Sequence, residues 1–358
     1  MVQVKIGGTY VGEGCPPLII AELSGNHGQC LDKAKTMIRL AAEAGAHAIK
    51  LQTYTADSLT IDIDSREFLI DESDSLWRGK TLYSLYQQAS TPYAWHAELF
   101  SYAHELGLLA FSSPFDEAAV DFLESLSVPC YKIASFENNH LPLIAKVAQT
   151  GKPVFMSTGM ASLEELEEAV SCARFHGCKD LVLLKCTSHY PASAEGSHLR
   201  TLQDMASQFN CVVGLSDHSR GLAVPIAAVA LGASVIEKHF VLENDTDAVD
   251  ADFSLTSGEM KSLVTETRRA WKALGVIKYG GADEEQDSKR YRRSIYVSAP
   301  VKADDYVSEA NIKVVRPAFG LHPRHYQMLI GQRFTQDLAK GTALNWSMVN
   351  VEDSQGDR

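Results

Sequence analysis

The chain contains no Cys-x-x-Cys pair, and its 7 cysteines are odd in number and scattered. That excludes a disulfide framework and a zinc cage of paired cysteines, and leaves reduced, mostly buried thiols. No apolar run is long enough to cross a bilayer as a helix. A basic-then-apolar leader is also missing, so the expected location is the cytoplasm, away from any membrane. Positive charge is in short supply: 33 Lys and Arg stand against 45 Asp and Glu, a net charge of −12. This balance argues against a nucleic-acid partner. Repeats of solenoid period and low-complexity tracts are absent as well. What is present is an ordinary globular composition, 45% hydrophobic over 358 residues, enough for one large domain or a large and a small one.

From Leu18 onward, short β-rich runs alternate with amphipathic helical patterns, which predicts a parallel sheet covered by helices. The runs are Leu18–Ala21, Ala48–Gln52, Leu109–Ser112, Tyr131–Ile133, Val154–Ser157, Leu181–Leu184, Val212–Leu215 and Val235–Lys238. Helical patterns lie between and after them, for example Asp32–Glu43, Glu117–Leu126, Leu163–Phe175 and Ser257–Leu274. Ser162 with Glu165, and Thr256 with Glu259, read as capping boxes. Eight such units in roughly 250 residues fit a (β/α)8 TIM barrel, with an open doubly wound sheet as the alternative. The first ten residues read as a strand or hairpin plugging the barrel bottom. The long connection from Thr53 to Pro92, which carries Trp77, is expected to fold over the mouth. The barrel is placed at 1–279 and a linker at 280–290. A small β-rich domain follows at 291–351 and a polar tail at 352–358.

Active sites of such barrels lie at the C-terminal ends of the strands. Here those ends bear Glu22; Lys50 and Gln52; Ser112 and Ser113; Lys132 and Ser135; Ser157; Lys185, Thr187 and Ser188; Ser216, Asp217 and His218; Glu237 and His239. Recurring Ser and Lys suit a phosphate or carboxylate ligand. His218 and His239 end adjacent strands, so both imidazoles face one pocket and could share a divalent metal ion. Alone, either histidine reads as structural, and the serines as turn formers. Lys50 and Lys132 follow buried strands and either snorkel to solvent or are held by an anion, the pocket location favouring the anion, or else serve as Schiff-base lysines. Trp77 either contacts the site or pins its own loop.

Several segments then resemble one family: Ile20-Ala21-Glu22-Leu23-Ser24-Gly25-Asn26-His27, Ile49-Lys50-Leu51-Gln52-Thr53, Phe111-Ser112-Ser113-Pro114-Phe115, Tyr131-Lys132-Ile133-Ala134-Ser135, Met156-Ser157-Thr158-Gly159-Met160, Gly214-Leu215-Ser216-Asp217-His218 and Glu237-Lys238-His239-Phe240. They are similar to the sialic acid synthase family. The stretch from Ile312 to Pro323, with Arg316-Pro317, resembles that family's antifreeze-like (SAF) module. Leu76-Trp77 followed by Gly79-Lys80-Thr81-Leu82-Tyr83-Ser84-Leu85-Tyr86 looks most like the pseudaminic acid synthase branch.

The resemblance implies that phosphoenolpyruvate condenses with an N-acetylated amino sugar, releasing phosphate. In that branch the sugar is 2,4-diacetamido-2,4,6-trideoxy-L-altrose. It also implies a divalent metal (Mn, Mg or Co) on His218 and His239, and a domain-swapped homodimer. Lys50, Ser113, Lys132, Ser135, Ser157 and Ser216 would hold the phosphate or carboxylate, and Glu22 would act on the aldehyde or the attacking water. Gln52, Tyr190 and Asp250 would contact the sugar or intermediate, and Arg316 would reach in from the partner.

Three positions depart from the pattern. Asn26-His27-Gly28-Gln29 stands for Asn-His-Asn-Gly, and Ser188 replaces an asparagine of the sialic acid branch. Ala318 replaces a glycine, which would strain its turn if that glycine has positive φ. The competing readings are an N-acetylneuraminic or legionaminic acid synthase, a Schiff-base aldolase and a non-catalytic glycan-binding protein.

Overall fold

Eight short apolar runs become eight parallel strands that close on themselves. The computed structural model describes residues 2–73 and 75–350; the expected tail at 352–358 and position 351 lie outside the described residues. In chain order the strands are β1 Leu18–Glu22, β2 Ala48–Thr53, β3 Leu109–Pro114, β4 Tyr131–Ile133, β5 Val154–Ser157, β6 Leu181–Cys186, β7 Val212–Asp217 and β8 Val235–His239. Each pairs in parallel with its sequence neighbour, and β8 closes the ring on β1. The alternative of an open sheet is thereby excluded. Both faces of every strand are covered, which is why the strands read as apolar runs and not as an alternation.

Most strands run one or two residues past their expected ends. The added residues are mostly polar and broke the apolar signal, yet the ladder continues through them: Glu22 pairs with His239 and with Lys50, and Ser113 with Gln52. The helices follow their patterns closely, with Leu163–Phe175 and Ser257–Leu274 as expected. Ser162 and Glu165 complete a reciprocal capping box. At Thr256 the Glu259 carboxylate accepts from both the amide and the hydroxyl.

Two apolar layers result. One lies between strands and helices, and the other fills the barrel's interior with Leu18, Ile20, Ala48, Phe111, Phe155, Val182, Leu184, Val212 and Val235. The N-terminal strands Gln3–Ile6 and Thr9–Gly12 form an antiparallel hairpin. Its Val4, Ile6 and Val11 join the interior layer, so the hairpin is the plug its sequence suggested.

The chain divides into two compact units between Gly275 and Val276. The second has its own core of Ile295, Val297, Val301, Val307, Ile312, Leu329, Phe334, Leu338, Leu344 and Val349. Its strands are short: Ser294–Val297 pairs with Ile312–Val315, and Arg333–Phe334 with Val349–Asn350.

Candidate active site

Strand alternation decides which side chains reach the barrel interior. Successive residues point to opposite faces, so the interior layer at Ile20, Ala48, Phe111, Cys130, Phe155, Leu184, Val212 and Val235 fixes the parity of each strand. Counting on in twos brings Glu22, Lys50, Gln52, Ser113, Lys132, Ser157, Cys186, Ser216, His218, Glu237 and His239 to one rim. Ser112, Lys185, Asp217 and Lys238 face outward. Ser112, for example, bonds Thr53 at 2.6 Å behind the sheet, where Thr53 also meets His96 at 2.8 Å.

The rim is a buried charge network centred on Glu237. Its Oε1 accepts from Lys132 Nζ at 2.7 Å and from Ser216 Oγ at 2.8 Å, and Oε2 lies 3.9 Å from Lys50 Nζ. Lys50 also pairs with Glu22 and lies 3.3 Å from Ser113 Oγ. Burial opposes ionisation of Glu237, but Lys132 and Lys50 outweigh it and hold the carboxyl down to about 2. Glu22 goes the other way. Its burial, reinforced by Glu237, outweighs the Lys50 ion pair and raises its pKa. Burial at Lys50 is outweighed by the carboxylates, which raise its pKa, unfavourably for a Schiff-base nucleophile, whereas burial lowers that of Lys132 despite its ion pair with Glu237.

The two imidazoles stand beside this network, ring centroids 5.1 Å apart. His218 Nδ1 is 3.0 Å from the Thr187 carbonyl, which can only accept, so Nδ1 carries a hydrogen, and in the neutral ring Nε2 keeps the lone pair. His239 Nδ1 faces the Asp250 carboxylate at 3.4 Å. Asp250 also accepts from Ser24 Oγ, and its amide donates to Asn26 Oδ1 at 2.9 Å. The Asp250 carboxylate, expected to contact the sugar or intermediate, has His239 as a neighbour on the protein side.

Across the rim a group of hydroxyls gathers around Gly159. Ser135 Oγ accepts from the Gly159 amide at 3.2 Å, and Ser157 Oγ is buried without a hydrogen-bond partner. A Cβ on Gly159 would lie 2.2 Å from Ser188 Oγ and 2.6 Å from Ser135 Oγ, so glycine lets these hydroxyls close on the backbone. Asn138 fastens the loop by donating to Gly159 O at 3.1 Å. Above the histidines, Tyr190 packs on His218 with centroids 4.6 Å apart, and Trp77 packs on Tyr190 at 5.8 Å. The Trp77 indole donates to Val249 O at 3.0 Å, so the long loop does cover the mouth, and Trp77 both pins it and touches the site.

Arg316 follows the strand Ile312–Val315 of the small unit and is exposed. Ala318 is not among the positive-φ residues, so the strain considered for that substitution is absent. Its amide donates to Arg290 O at 2.9 Å.

Comparison with known proteins now adds to the geometry. The NeuB family model matches residues 37–279. The chain belongs to the NeuB family. Its small unit matches the SAF domain over residues 292–350. The chain is 44% identical over 326 residues to a pseudaminic acid synthase of Campylobacter jejuni, covering 91% of this chain and 94% of that protein. It is 42% identical to a pseudaminic acid synthase of Helicobacter pylori, covering 92% and 97%. An N-acetylneuraminic acid (sialic acid) synthetase solved from Leptospira borgpetersenii superposes with a TM-score of 0.71 at 32% identity, covering 80% of this chain and 94% of that one.

In this NeuB-family rim three residues were given no role by sequence reasoning, although Glu237 and Thr187 stand among the strand ends. Glu237 joins the two lysines, and its signal was the interior parity of β8. Thr187 acts through its carbonyl, which no side-chain motif reveals. Glu137 lies in the 3-10 turn Ser135–Glu137, where burial drives its pKa up to about 7, and its Oε2 has no hydrogen-bond partner.

Proposed function

We propose that the chain is a pseudaminic acid synthase, joining phosphoenolpyruvate to 2,4-diacetamido-2,4,6-trideoxy-L-altrose with release of phosphate. One observation carries the chemistry. The Lys50–Glu237–Lys132 network and the His218–His239 pair meet on one barrel rim, so an anion and an aldehyde can be held side by side. The choice of sugar is supported by the similarity to pseudaminic acid synthases.

Lys50, Lys132 and Ser113 bind the phosphate or carboxylate of phosphoenolpyruvate, together with Ser157 and Ser135, whose Oγ is held by the Gly159 amide. Ser216 keeps Glu237 aligned between the lysines. The enolpyruvate methylene attacks the sugar aldehyde, water adds at the resulting cationic carbon, and the tetrahedral intermediate loses phosphate. Glu22, with its raised pKa beside Lys50, moves the proton to or from the aldehyde oxygen or the attacking water. Gln52, Ser188 and Tyr190 contact the sugar, while Asp250 sets the ring of His239.

The residues present fit a divalent metal. Each imidazole turns Nδ1 to an oxygen acceptor, the arrangement that orients metal-bound histidines, and no third ligand group gathers among the described residues. A Mn, Mg or Co ion on His218 and His239 would supply Lewis-acid polarisation of the aldehyde oxygen.

Among the described residues no helix is long and apolar enough to cross a membrane, in keeping with a cytoplasmic enzyme. The proposal includes a domain-swapped homodimer in which Arg316 reaches the partner's sugar. An interdomain segment whose Val276, Ile277 and Tyr279 are 82%, 94% and 93% exposed supports it, since a second copy would cover them.

The metal reading is tested by chelation. EDTA should abolish phosphate release and Mn should restore it, while folded His218→Ala and His239→Ala chains stay inactive. Full activity in chelator would refute it.

A further inference from the structure

Behind the two histidines lies a second buried charge pair that the proposed reaction does not use. Strand alternation turns His218 and His239 into the barrel and their neighbours Asp217 and Lys238 away from it. Lys238 stands directly opposite Asp217 in the β7–β8 register. Its side chain is 0% exposed and that of Asp217 is 3% exposed. Lys238 Nζ donates to Asp217 Oδ2 at 2.7 Å and to the Ser219 carbonyl. Asp217 Oδ1 accepts from the Ser219 amide at 3.0 Å. The residue between them is His218, whose own carbonyl accepts from the Ala192 amide at 3.0 Å.

A buried ion pair is a poor stabilising device, because desolvation offsets most of the attraction and apolar replacements are often no less stable. This pair does something an apolar pair cannot. It satisfies both peptide groups of Ser219 and ties the chain beyond His218 to the residue preceding His239. The geometry points to Asp217 and Lys238 as a positioning pair that holds His218 at a set place relative to His239. The inference rests on the reading of both histidines as ligands of a divalent cation.

The test uses the full chain carrying Asp217→Asn with Lys238→Met, a change that removes both charges at nearly constant volume. Mn2+ affinity is read by electron paramagnetic resonance titration, and imidazole tautomers by long-range proton–nitrogen NMR of the metal-free chain at a pH where His218 is neutral. The double variant is expected to melt within about 5 °C of the parent. It should bind Mn2+ about tenfold to a hundredfold more weakly, and the single Nδ1-protonated signal of His218 should become an average of both tautomers. Parental affinity together with a parental tautomer overturns the inference. Should the double variant not fold, Asp217→Asn alone, which keeps the Oδ1 acceptor, decides by the same two readouts. A parent that binds no Mn2+ refutes the metal reading instead, and the tautomer measurement then decides the positioning pair.

Discussion

Replacing Glu237 by glutamine probes the network at its centre. Opposite charges at 2.7 and 3.9 Å attract by about 6 and about 4 kcal/mol at an effective dielectric near 20. Desolvation of the buried charges cancels much of this. Glutamine keeps an acceptor for Ser216 but leaves Lys132 buried without its counter-ion, which costs about 3–5 kcal/mol. Urea unfolding of the parent and Glu237→Gln at pH 7 should show that loss, and inorganic phosphate should stabilise the variant more than the parent by replacing the missing charge. The sign with pH follows from a folded pKa held down from 4.5 to about 2. The carboxylate's contribution is complete above about pH 4.5 and is lost as pH falls through about 2, so the gap between the two proteins narrows in that window. A loss below about 1 kcal/mol, or a phosphate effect equal in both, would refute the network as drawn.

Glu137→Gln should act oppositely. With its folded pKa raised from 4.5 to about 7, the glutamate's stabilisation is full below about pH 4.5 and is lost as pH rises through about 7. The variant should therefore gain roughly 2 kcal/mol over the parent at pH 8, after discounting partial solvent access; equal pH profiles would contradict this. Arg316→Ala should raise the KM for sugar about tenfold to a hundredfold, the loss of one charge-assisted hydrogen bond, with melting moved by less than about 2 °C. A fall in melting temperature alone would make Arg316 structural.

The barrel was legible because its strands are buried on both faces and so appear as separate apolar runs. Their ends were less so. Glu22, Ser113, Ser216 and His239 extend the ladders but look like loop residues when hydrophobicity is the only guide. The candidate site was legible as a set of strand-end residues, and parity within each strand would have separated Ser113 from Ser112 and Glu237 from Lys238. What sequence could not carry was partnership. Asp250 lies after β8 in a loop, and only the fold shows its carboxylate against His239. The Thr187 carbonyl is invisible in any motif. Ala318 was weighed for strain that its backbone does not have, because φ is set by the turn and not by the residue name.

The central claim is tested most directly by phosphate release from phosphoenolpyruvate with Mn2+, measured across a panel of sugars. Release should be rapid with 2,4-diacetamido-2,4,6-trideoxy-L-altrose and slight with N-acetylmannosamine or the legionaminic precursor. Preference for either of the latter would contradict the choice of sugar. Release with none of them, or borohydride trapping of pyruvate on Lys50 or Lys132, would contradict the condensation itself.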